Sequence, residues 1–107
     1  MKILEGAGTG AGNWYKLQAG RYSLGAFFPG GVTGTITFQT SLDDGSNSFG
    51  NLADASGSDI SFTATQHKIG IELPTCKIRA TAAAVAGGVV DAYVQPIQCF
   101  PGITGYE

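Results

Sequence analysis

Charge is what this chain has least of. Lys, Arg, Asp and Glu make up 13% of its 107 residues, about half the share of roughly 25% in an ordinary globular domain. The six basic side chains are spread along the chain. No basic stripe exists to neutralise phosphates, so a nucleic-acid partner is not expected. The same sparseness removes attraction to anionic lipid, and no apolar run approaches the roughly 20 residues of a membrane-spanning helix. The opening Met1-Lys2-Ile3-Leu4-Glu5 lacks the apolar core, about 7–15 residues long, of a secretory signal peptide. Synthesis and retention in the cytoplasm are therefore expected, until something carries the chain out.

Groups that do chemistry are equally scarce. His67 is the single histidine. A general base would need it beside Asp43, Asp44 or Asp59, but its neighbours Gln66 and Lys68 point to a polar surface stretch. The two cysteines, Cys76 and Cys99, have neither zinc-motif nor redox-pair spacing. They read as buried thiols, with a disulfide as the alternative if the strands carrying them are neighbours. Gly6-Ala7-Gly8-Thr9-Gly10-Ala11 fits the dinucleotide pattern in letters only. No helix can follow through Gly20, Gly25 and Pro29, and no acid occurs between Glu5 and Asp43 to hold a ribose. Asp43-Asp44-Gly45-Ser46-Asn47 lacks the spaced ligands and closing Glu of a calcium loop and reads as a turn. No catalytic residue, cofactor or metal is expected.

Glycine, by contrast, is abundant: 17 residues cut the chain into short segments. Within them apolar residues alternate, the period of a half-buried strand. Ile36, Phe38 and Leu42 point one way, against Thr35, Thr37, Gln39 and Ser41. Tyr22, Leu24, Ala26 and Phe28 form a second such set; Ile60, Phe62 and Ala64 a third; and Ile69, Ile71 and Leu73 a fourth. Cys76, Ile78 and Ala80 follow, then Val90, Ala92 and Val94. With Asn13 to Leu17 this predicts about seven short strands in an all-β, small antiparallel β-sandwich, immunoglobulin-like or jelly-roll. Residues 1–12 read as a flexible Gly-rich leader, 13–97 as the sandwich and 98–107 as an extended tail. Ser46 to Ser58 reads as a surface loop into which Phe49 and Leu52 tuck. Ala82 to Ala86 reads as a strand end running into the Gly87-Gly88 turn.

Aromatic residues supply the interface candidates. Trp14 reads as a core plug, with a sugar-stacking platform beside Tyr15 as the alternative. Phe27 and Phe28 are adjacent, so a strand sends them to opposite faces; if Phe28 is inside, Phe27 is out. On a weakly charged surface Phe27 and Tyr93 become candidate contact residues. In the tail, Phe100, Ile103 and Tyr106 either pack back on their own domain or reach a neighbour.

Several segments together carry a resemblance. They are Gly12-Asn13-Trp14-Tyr15-Lys16-Leu17, Gly20-Arg21-Tyr22, Gly34 to Gly45, Leu73-Pro74-Thr75-Cys76-Lys77-Ile78-Arg79-Ala80, and Val89 to Val94. Over residues 12 to 95 the chain resembles small β-sandwich virion proteins of tailed bacteriophages. The resemblance implies a structural protein: a capsid decoration (cement) protein, or a neck or tail accessory. It would be made in the host cytoplasm and carried in the virion. Its partners would be itself, as a homo-dimer or homo-trimer, and the major capsid protein or other virion proteins. A carbohydrate-binding or host-adhesion module is the alternative.

Overall fold

The computed structural model describes residues 1–42, 49–54 and 56–97. It contains β1 (Lys2–Ala7), β2 (Gly10–Ala11), β3 (Tyr15–Leu17), β4 (Gly20–Phe27), β5 (Thr33–Ser41), β6 (Phe49–Asn51), β7 (Ser61–Phe62), β8 (Gln66–Leu73), β9 (Cys76–Ala86) and β10 (Val90–Pro96), with no helix among the described residues. One sheet runs β1-β10-β4-β8 and the other β2-β9-β5-β6. In the second, β3 also pairs with β9 and β7 with β5, and every pairing is antiparallel.

β2 and β3 run along one side of β9, at Ala82–Thr81 and Ile78–Cys76, as a single interrupted strand. β6 and β7 do the same along β5. Counted this way the ten strands reduce to eight, paired first with last, second with seventh, third with sixth and fourth with fifth. A long hairpin rolled on itself gives that order, so this sandwich is a jelly-roll. The expected seven strands fall short because β1 lies within the segment that reads as a leader.

The predicted alternation sets the core. Leu24, Val90, Ala92 and Val94 from the first sheet meet Ile36, Phe38, Ile78 and Ala80 from the second, all fully buried. Phe38 meets the ring of Phe62 edge-on at 5.9 Å. Burying a ring of this size contributes about 2–3 kcal/mol.

Expectation and structure part in four places. Residues 1–12 are not a loose leader. Lys2–Ala7 pairs with β10, and Ile3 and Leu4 are buried at 2% and 7% exposure. Gly12 packs close there: a Cβ would come within 2.9 Å of Leu4 Cδ1 and 3.3 Å of the Ile3 and Ala80 carbonyl oxygens. Leu42 does not join Ile36 and Phe38 inside; it is 72% exposed, while Ser41 is buried. Ile69 is 67% exposed because β8 carries an extra residue against β4: Tyr22 faces Ile71 but Leu24 faces Lys68. That bulge, with Gly70 at φ +86°, turns the alternation over. Within the stretch expected as a loop, Phe49–Asn51 is a strand and Leu52 packs partly buried on the core.

The edges of the first sheet are irregular on both sides. β1 slips register twice against β10, between Lys2 and Leu4 and between Leu4 and Ala7. β8 carries the bulge at Ile69 and Gly70. The edge pieces of the second sheet are two or three residues long. Bulged and short edges resist pairing with another chain.

Candidate interaction face

The outer face of the β1-β10-β4-β8 sheet collects the exposed side chains of strands whose other side fills the core. Because β4 alternates, Phe28 is buried and Phe27 stands out, 44% exposed. The register places Lys2, Tyr93, Gly25 and His67 in one row across the four strands. The next row outward pairs Asp91 with Phe27.

Gly25 interrupts the first row, since it has no side chain between Tyr93 and His67. The result is a groove of about 480 Å³ bounded by Phe27, Tyr93, Thr65 and His67, with Gly25 buried at its bottom. The Thr65 hydroxyl accepts from Phe28 N at 2.9 Å and donates to Phe28 O at 3.1 Å, fixing Thr65 beside the end of β4. Phe27 and Tyr93, two of the expected contact residues, therefore line one groove. Phe100, Ile103 and Tyr106 lie outside the described residues.

The rim on the β1 side is charged. Lys2 Nζ sits 5.6 Å from the Tyr93 ring centroid, 3.8 Å from Glu5 Oε2 and 3.9 Å from Asp91 Oδ2. Asp91 Oδ1 accepts from Gly6 N at 2.7 Å. The Met1 ammonium donates to Gln95 Oε1 at 2.9 Å. Sequence reasoning missed this rim, because the apolar pair Ile3-Leu4 inside Lys2–Glu5 was its one signal and two bulges erase the alternation there.

The opposite sheet carries a polar chain instead. Arg79 lies over the Trp14 indole, 4.6 Å from the ring centroid, and donates from Nε to Gln39 Oε1 at 2.8 Å. Gln39 Nε2 donates to Asn51 Oδ1 at 3.1 Å, and Asn51 Nδ2 to Asp59 Oδ2 at 3.0 Å. Trp14 is thus half-buried beneath an arginine, neither the expected core plug nor a bare platform. Tyr15 packs partly buried on the core.

The remaining candidates are dispersed. His67 and Asp59 border one shallow groove of about 290 Å³, where the Asp59 carboxylate is engaged by Asn51; Asp43 and Asp44 lie outside the described residues. Among the described residues no three His, Cys, Asp or Glu side chains cluster as metal ligands. Cys76 is a buried free thiol whose pKa is raised by burial; Cys99 lies outside the described residues. Gly6–Ala11 forms a strand, a turn and a second strand.

Compared with known proteins, the chain matches no family model, and no curated protein or solved structure is significantly similar to it.

Proposed function

We propose that this chain is a non-enzymatic structural protein of a tailed-phage particle that works by self-association. Its most specific form is a capsid decoration protein contacting the major capsid protein; a neck or tail accessory is the alternative position. The observation that carries the reading is the pairing of Phe27 and Tyr93 around one groove on a broad sheet whose edges are bulged. Exposed aromatic surface in a weakly charged setting favours contact, and irregular edges direct that contact to the face.

Jelly-rolls recur in viral capsid domains and also in lectins, an analogy of fold only. The lectin analogy is weakened at Trp14, where Arg79 already covers the indole.

Light scattering behind size exclusion, over a range of concentrations, tests the association. A discrete dimer or trimer is expected. Co-sedimentation with purified tailed-phage capsid shells tests the partner, with saturable binding expected. A monomer at every concentration that also ignores the shells would overturn the reading.

A further inference from the structure

We propose that two copies of the chain pair face to face through the β1-β10-β4-β8 sheet about a twofold axis, Phe27 of each lying over Gly25 of the other. The inference rests on the self-association reading and specifies its partner surface.

The face is self-complementary in shape. A projecting ring, Phe27, and a gap in the row of side chains, Gly25, lie two residues apart on β4 and point to the same side. A twofold axis lying in the interface across the strands, level with Ala26, exchanges position 27 with position 25. Each ring then enters the other copy's groove, between Tyr93 and His67. A twofold contact uses the same patch twice, so one knob beside one hole suffices to close it. Sheets packed in this way sit about 10 Å apart, close enough for side chains to interdigitate.

The same operation matches the charges. It brings Asp91, which shares a row with Phe27, over Tyr93, which shares a row with Gly25 and already carries the Lys2 ammonium over its ring. On β1 it brings Lys2, opposite Tyr93, over the Glu5 end of the partner's strand. Lys2 already stands 3.8 Å from Glu5 and 3.9 Å from Asp91 within one copy. In the pair, each ammonium gains a second set of carboxylates and each aromatic groove gains a ring. The alternative twofold axis, along the strands at β4, lacks this match. With the twofold axis along the strands, Phe27 stacks on Phe27, Gly25 lies over Gly25, and β1 leaves the contact.

The test is a charge-swap mixture read by native mass spectrometry. Lys2→Glu alone sets carboxylate against carboxylate twice in a pair, and Glu5→Lys alone sets ammonium against ammonium twice. Each is expected to weaken the dimer by roughly tenfold. Equimolar mixing is expected to recover a mixed dimer selectively, since that pair alone joins opposite charges at both contacts. Phe27→Ser, at an exposed position, is expected to weaken pairing by at least roughly tenfold while the chain stays folded. A wild-type dimer indifferent to all three substitutions, or a mixture without preference for the mixed pair, would overturn this interface and leave self-association standing. A wild-type chain that never associates would overturn both.

Discussion

The guanidinium carbon of Arg79 lies 4.6 Å from the centre of the Trp14 ring, and its Nε donates to Gln39 across the β9–β5 ladder. With Gln39, which donates on to Asn51, it links Trp14, beside β3, to the far edge at β6. Lysine keeps the charge but offers neither the planar stack nor the Nε donor. Arg79→Lys is expected to cost about 1 kcal/mol, read as a lower urea midpoint with an unchanged slope. An unchanged midpoint would remove this chain of contacts from the account of stability.

Phe38 tests the core against the surface. It is fully buried and meets Phe62 edge-on, whereas Phe27 is 44% exposed. Phe38→Ala is expected to cost about 3–5 kcal/mol. Phe27→Ser is expected to stay within about 0.5 kcal/mol in the separated chain. Denaturant titration at low protein concentration checks both, and comparable losses would mean that Phe27 belongs to the core.

The sandwich was legible along the middles of the strands but not past the ends of β5 and β7, where Leu42 and Ala64 are exposed rather than inside. Leu24 and Ala26, Ile78 and Ala80, and Val90, Ala92 and Val94 all face inward as their spacing predicts. It failed where a bulge inserts one residue: Ile69 reads as core from Ile71 and Leu73, yet the extra residue beside Gly70 turns it out. The same effect hid β1, whose two register slips make Lys2–Ala7 look patternless. Phe27 was legible from its neighbour Phe28. Its relation to Gly25, Tyr93 and Lys2 was not, because cross-strand register is a property of the folded sheet rather than of any local segment.

Glycines at the bulges separate backbone need from mere composition. Gly70 has φ +86°, and an added Cβ would lie 3.1 Å from Arg21 Nη2, whereas Gly8 has open space and no left-handed backbone. Gly70→Ala is expected to destabilise by about 1–2 kcal/mol. Gly8→Ala is expected to be neutral or to stabilise by up to about 1 kcal/mol. Thermal melting of the two variants checks the contrast.

Burial raises the Cys76 thiol above its ordinary value of 9.0. The folded chain therefore holds the protonated form while the unfolded chain ionises. This contribution to stability is intact below about pH 9 and is lost as pH rises through the raised folded value. In a Cys99→Ser background, Cys76 is expected to react with an alkylating reagent at neutral pH only at the rate of unfolding. Stability should fall less steeply in alkali once Cys76→Ala is added. Rapid alkylation of the folded chain would contradict the buried placement.

The most direct test of the central claim is sedimentation equilibrium of the wild-type chain beside Phe27→Ser, over the same concentration range. The account predicts a wild-type dimer and a variant that remains monomeric at concentrations where the wild type is paired. A monomeric wild type, or a dimer equally stable in both proteins, would contradict association through this face.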